Sequence, residues 1–177
     1  MAAELLSPTV ALTRYFVTPD QEHGLPEAAD GSGRVQRYGF RIGACRFVHD
    51  LSLAVELIEL PRCYALPNSS EWFCGLVNLR GNLVPVFDLK SLLGMTSPTG
   101  HRSMLLVIGK GERVAGLVID GTPDHITIDA GSRVDNPEHV PDVLGEFLKG
   151  AYEYAGEVWY QLNYEGLFES LAQRTAG

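Results

Sequence analysis

Apolar and polar residues alternate in short blocks along most of this chain, and the dominant period is two. In YGFRIGACRFV, Tyr38, Phe40 and Ile42 alternate with Gly39, Arg41 and Gly43, the spacing of a strand with one buried face. LSLAVELIEL admits two readings. Leu51, Leu53, Val55 and Leu57 alternate, while Leu53, Leu57 and Leu60 also fit one side of a helix. Its β-rich neighbourhood favours a strand, with Glu56 on the face opposite Val55 and Leu57. In FCGLVNLRGNLVPVFDLKSLLG, Phe73, Gly75, Val77 and Leu79 share one face, and Cys74, Leu76 and Asn78 the other. Gly81 supplies the permissive backbone for a reversal, after which Leu83 to Phe87 returns as a second strand. Pro85 has no N–H to donate, which places that strand at an edge or a bulge. Asp88 is positioned to cap a short helix, LKSLL, closed by Gly94.

The second half of the chain repeats the β pattern. SMLLVIG and RVAGLVID are apolar runs joined by GKGE, a hairpin signal, and DGTPDHITID adds a turn and a short strand. EFLKGAYEYAGEVWYQL reads as a further hairpin with its bend at Tyr154 to Glu157. Asn163 then opens an amphipathic helix, YEGLFESLAQ, that buries Leu167, Phe168 and Leu171. Many short strands at this spacing predict small barrels or a sandwich.

Residues 1 to 34 have a different texture. Ser7 followed by Pro8 is a helix-start signal, with Val10, Tyr15, Phe16 and Val17 as anchors. TPDQEHGLPEAADGSGR, rich in Pro, Gly and acid, reads as a flexible linker, so folded structure is expected from about Val35.

Charge narrows the function. A formal net charge of -8 argues against a nucleic-acid binder. The charge is also polarised. Arg34 to Arg113 carries ten Lys/Arg against six Asp/Glu, and Asp129 to Glu169 carries two against nine, an arrangement suited to head-to-tail protein contacts or to a solvated acidic face. No apolar run approaches the roughly 20 residues of a membrane span, so a cytoplasmic protein without direct membrane insertion is expected. Cys45, Cys63 and Cys74 form no CxxC pair and read as reduced core thiols.

The common motifs of reaction chemistry do not match this sequence. GMTSPTGHRS has His101 and Arg102 where a phosphate loop requires Lys and Ser/Thr, and GSGRVQ lacks a dinucleotide fingerprint's third glycine. His23, His49, His101, His125 and His139 show no metal-ligand spacing. Asp88 and Asp120 both sit where caps and turns favour Asp. A non-enzymatic protein with no cofactor is expected. Arg80, alone in an apolar hairpin, has two roles open to it: forking onto a carboxylate such as Glu56 to fix the turn, or projecting as a recognition group.

The motif around Arg80 resembles the signature of the CheW-like family, the coupling proteins of bacterial chemosensory systems. It is carried by Gly75, Asn78-Leu79-Arg80-Gly81, Pro85, Asp88-Leu89 and Gly94, and the likeness extends over about Val35 to Leu171. The resemblance implies a mainly β fold of two intertwined, small five-stranded SH3-like β-barrels with a groove between them and a short C-terminal helix. It implies a CheW-like domain at 35–172, with subdomains at about 35–96 and 103–162 and a closing helix at about 164–173. It implies an adaptor joining a methyl-accepting chemoreceptor's cytoplasmic tip to the regulatory domain of a CheA-type histidine kinase, at membrane-associated receptor arrays. Carried over, Arg80, Glu56, Asn78, Leu53 and Leu57 form the partner-binding set, and Gly75, Gly81, Pro85, Asp88 and Gly94 the structural one. The first valine of the family's V-x-E-V segment is here Ala54. The extension, GFRIGACRF and ELPRCYALPNSSEWF resemble the PilI-type variant of type IV pilus systems more closely. Two other readings remain beside the adaptor: a small barrel that binds a ligand, and a regulatory paralogue that binds one partner only.

Overall fold

The computed structural model describes residues 33–53, 55–95, 102–137 and 139–175; the expected helix start at Ser7 and the linker after it lie outside these. Among the described residues the strands are β1 (Arg34–Ile42), β2 (Cys45–Asp50), β3 (Val55–Glu59), β4 (Phe73–Leu79), β5 (Asn82–Phe87), β6 (Ser103–Ile108), β7 (Ala115–Asp129), β8 (Leu148–Tyr154) and β9 (Glu157–Leu162). The α-helices are α1 (Leu89–Leu92), α2 (Asp142–Gly145) and α3 (Tyr164–Thr175).

Pairing sorts the strands into two groups of five that share one strand. The central group runs β3-β6-β7-β5-β4, using the first half of β7, in which Gly116 and Leu117 pair in parallel with Val86 and Phe87 of β5. The gap between β3 and β4 is bridged by Tyr64 and Leu76, whose backbone groups exchange hydrogen bonds of 2.8 and 3.0 Å. The terminal group runs β7-β1-β2-β9-β8, using the second half of β7. Behind β7 the chain returns to β8, where Arg133 bridges Tyr152 and Val134 N donates to Ala151 O at 2.9 Å. The result is two intertwined small barrels. The strands therefore do not group as the contiguous stretches 35–96 and 103–162: β1 and β2 pair with β7 and β9, because β7 is long enough to serve both groups.

Two sequence expectations need correction. Asp120-Gly121-Thr122-Pro123 does not reverse the chain, and β7 runs unbroken for 15 residues. At Asp120 the strand changes partner instead, standing opposite Ser103 of β6 and Arg41 of β1. From Gly39 to Arg41, β1 advances two residues while β7 advances four, from Asp124 back to Asp120, so the turn-like residues are absorbed in a bulge. The strand expected from Leu51 begins only at Val55, since Leu51 to Leu53 form a turn in which Leu53 N donates to Asp50 O. The alternation itself holds: Ile58 and Leu60 pack into the central barrel on Glu56's face, and Val55 packs on the shared core.

Three cores follow from this architecture. Val77, Val84, Val86, Leu105, Val107 and Val118 fill the central barrel, where β-branched side chains suit the narrow bore. Val48, Ile126, Ile128 and Trp159 fill the terminal one. The largest cluster belongs to neither alone. Phe40, Phe47, Phe87, Leu117, Tyr160 and Leu167 are among the residues that join barrel to barrel and both to α3. The long helix α3 buries Tyr164, Leu167 and Leu171, while Phe168 is half-buried and stacks on Phe87 with ring centroids 6.0 Å apart.

Candidate functional site

β4 and β5 are joined by a two-residue turn, Arg80-Gly81, with φ of +53° and +90°. Two positive φ values in a row match the twist of a hairpin, and Gly, Asn and Asp are the residues that usually accept them. Gly81 fills its place at little cost. An arginine in the left-handed region carries strain, and strain of this kind collects at functional positions. Asn78 secures the turn by accepting from Gly81 N at 2.8 Å. The side chain of Arg80 then forks onto Glu56 of β3, with Nη2 to Oε1 at 2.6 Å and Nη1 to Oε2 at 3.2 Å. It spans the mouth of the central barrel, from the tip of one hairpin to the edge strand whose seam with β4 is bridged at Tyr64 and Leu76.

This pair is not buried. The Arg80 side chain is 81% exposed and that of Glu56 41%. Exposed pairs contribute roughly 0–1 kcal/mol to folding, so the pair presents a preformed guanidinium–carboxylate feature to the surroundings more than it holds the barrel together.

The outer face of the same hairpin is apolar. Tyr64, Leu76 and Pro85 stand directly opposite one another on three neighbouring segments and so project to one side, with Leu83 two residues along β5 on the same side. Tyr64 and Leu83 are 65% and 64% exposed, and Leu66 is exposed as well. The inner face of the hairpin buries Val77, Val84 and Val86. A hairpin apolar on both faces has a surface to cover. Sequence reasoning passed over Tyr64, Leu66 and Leu83, because an apolar run does not reveal which of its members face outward.

From Pro85 this face leads into a groove between the central barrel and α3. One part, about 190 Å³, is lined by Pro85, Phe87, Val114, Phe168 and Ala172; another, about 250 Å³, includes Leu53, Ile108 and Tyr164. Arg113, Glu165 and Phe168 belong to both, and the Arg113–Glu165 ion pair crosses between them on the surface. Leu53 thus lines the groove. Leu57 is exposed and lies on the Val55 side of β3, facing away from Glu56. Arg80 stands five residues along β5 from Pro85, about 17 Å at the rise of a strand.

The residues of the structural set sit at the following places. Asp88 caps α1, accepting from Lys90 N at 2.9 Å and from Ser91 Oγ at 3.3 Å. Gly94 follows that helix at φ +63°. Gly75, at φ +116°, passes so close to the Tyr64 carbonyl that an added Cβ would lie 2.2 Å from its oxygen. Pro85 sits one residue short of the β5–β7 pairing. Asp120, read as a turn residue, is instead an acceptor for the buried Lys90.

The titratable groups with shifted pKa values do not form a reactive constellation. Burial raises Cys45 and Cys63, and raises Cys74 to about 11 with the neighbouring Cys63 adding to the shift. Cys45 is buried, while Cys63 and Cys74 are only half-buried, and all three are free thiols. Burial also lowers His49 and raises Tyr164. Among the described residues no group of three His, Cys, Asp or Glu side chains is placed to hold a metal ion, and no helix is long and apolar enough to cross a membrane.

The sequence of residues 37–172 matches the profile of the CheW-like domain. The chain belongs to the CheW-like family. It is similar to a probable chemotaxis protein CheW of Rhizobium etli, 28% identical over 77% of this chain and 89% of that one. It is likewise similar to Protein PilI of Pseudomonas aeruginosa, 30% identical over 73% of each. Protein FrzA of Myxococcus xanthus is 27% identical over 83% of this chain and 93% of that one. The fold of this CheW-like chain is shared with the crystal structure of the scaffolding protein TtCheW from Thermoanaerobacter tengcongensis, with a TM-score of 0.65, 23% identity, and coverage of 75% and 86% of the two chains.

Proposed function

We propose that this CheW-like chain is a non-enzymatic adaptor that couples methyl-accepting chemoreceptors to a CheA-type histidine kinase, in chemotaxis or in type IV pilus signalling. The observation that carries the reading is the Arg80 turn. A charged residue is held at positive φ, braced by Asn78 and Glu56, and left largely exposed, an expenditure that folding alone does not explain. The names of its relatives, which include chemotaxis and PilI proteins, support the setting.

An adaptor needs two separate contact surfaces, and two are available. The apolar groove beside α3, with Leu53 in its wall and Leu57 beyond it, suits the receptor's cytoplasmic helical tip, which offers an apolar stripe. The outer face of the β4–β5 hairpin, with Tyr64 and Leu83, suits the kinase regulatory domain. Arg80 stands at the tip of that hairpin and reaches Glu56 of β3, where either partner's charged rim is read.

The test is Arg80→Asp, which places two carboxylates face to face at the barrel mouth. The protein is expected to fold as before and to lose most of its capture by receptor fragments or by the kinase regulatory domain. Unchanged capture of both by the folded variant would falsify the role of Arg80. A ligand-binding barrel instead predicts a thermal shift with a small molecule. A single-partner regulator predicts that only one of the two titrations gives binding.

A further inference from the structure

The most deeply buried ion pair among the described residues lies away from the Arg80 turn. Lys90 Nζ is 2.6 Å from Asp120 Oδ1, and both side chains are 4% exposed. The second oxygen of Asp120 accepts from Gly43 N at 2.7 Å. One carboxylate therefore ties together three places. The first is α1, which continues from β5 of the central barrel. The second is the residue at which β7 leaves that barrel for the terminal one. The third is the tip of the β1–β2 hairpin of the terminal barrel, which also rests on Met95 beyond α1.

The surroundings make this contact special. The shared core is apolar, and apolar contact opposes separation far more than it opposes rotation, because it is non-directional. The backbone at the crossing is a weak brace, since Asp120 pairs with Arg41 and Gly121 N donates to Arg102 O at 2.9 Å, but the β1–β7 ladder is interrupted between Asp120 and Asp124 and Gly121 has φ +75°. The side-chain bonds of Asp120 add directed contacts at this weak point. Stability is a weak reason for keeping the pair, since well-packed apolar residues in place of a buried ion pair are often neutral or stabilising.

We propose that Lys90 and Asp120 are positioning residues that lock the angle between the two barrels, and so fix the arrangement of contact surfaces that a partner touching both barrels must match. The lock itself follows from the geometry alone; its consequence for partners rests on the adaptor reading.

The experiment uses the full chain carrying Lys90→Met and Asp120→Leu together, which keeps the volume and removes both charges. Residual dipolar couplings measured for each barrel report their relative orientation independently of any partner. In the native protein one alignment tensor is expected to fit both barrels. In the folded double variant, at native-like or higher melting temperature, the barrels are expected to need two tensors, and affinity for a receptor tip fragment, whose groove lies between the central barrel and the α3 that follows β9 of the terminal one, is expected to fall by about tenfold, in the range typical of coupled sites. A single tensor fitting both barrels of the variant would overturn the lock. Two tensors with unchanged affinity would overturn its bearing on partners. Should the double variant fail to fold, Lys90→Met with Asp120→Asn gives the same readout, because it removes both charges and retains an acceptor for Gly43 N. Native protein that binds neither partner would sink the adaptor reading while leaving the orientation result intact.

Discussion

Arg80–Glu56 and Lys90–Asp120 are ion pairs with the same closest approach, 2.6 Å, in opposite surroundings. One is open to water at the mouth of the central barrel, and the other is sealed where the barrels meet. Distance does not decide what each contributes. Water screens the first, so its members can be exchanged at little cost to folding and are free to serve recognition. The second has exchanged its hydration for one partner and one backbone donor, so removing either member strands a charge. The molecule thus keeps its structural charges and its presented charges in different places.

The largest effect that tests this contrast is Lys90→Met alone. It leaves the Asp120 carboxylate buried without its cation and should cost about 3–5 kcal/mol in urea unfolding. A loss below about 1 kcal/mol would mean that water reaches the junction, and the contrast would collapse. Next is Gly75→Ala, which forces a methyl group against the Tyr64 carbonyl and opens the bridge between β3 and β4. A loss of about 1–3 kcal/mol is expected, with the Lys90–Asp120 junction untouched.

A smaller, graded effect comes from pH. His49 is buried, and burial lowers its pKa below the usual 6.5, with the nearby Arg37 adding to the shift and Asp50 opposing it. The folded state keeps the ring neutral while the unfolded chain binds a proton near pH 6.5. The contribution is therefore present above that pH and is lost as the pH falls below it toward the folded pKa. Urea midpoints between about pH 7.5 and pH 5.5 should decline, and His49→Phe should flatten the decline. An equally steep profile in the variant would assign the effect elsewhere. The smallest stability change is expected for Arg80→Ala, roughly 0–1 kcal/mol. A loss of several kcal/mol would make Arg80 a structural residue and erase the distinction between the two pairs.

Local rules made much of this legible in the sequence. Period-two alternation located β1, apolar runs beside turn signals located the strands of both late hairpins, and the Tyr154–Glu157 bend falls where Ala155 and Gly156 both have positive φ. Asp88 and Gly94 bracket α1 as capping requires. Glu56 was identifiable as a candidate partner for Arg80 because its strand could lie beside the hairpin. Longer-range features were hidden. Gly-Thr-Pro-Asp has turn composition, yet the strand passes through it as a bulge with Gly121 at φ +75°, because β7 is paired with different neighbouring strands on either side of it. Nothing local ties Lys90 to Asp120, 30 residues away, or distinguishes a buried lysine in LKSLL from a solvated one. The outward side chains of Tyr64 and Leu83 were invisible for the converse reason: hydrophobicity marks what avoids water alone, and these residues have no cover within the described structure.

The central claim is that the chain works by joining two other proteins through its surface. Its most direct test is co-sedimentation of a CheA-type kinase with receptor-bearing membranes, with and without this protein. The account predicts that the kinase sediments appreciably only when the protein is added, and that Arg80→Asp abolishes most of the gain. Recruitment that is equal with and without the protein, or protein that sediments with receptors while leaving the kinase in solution, would contradict it.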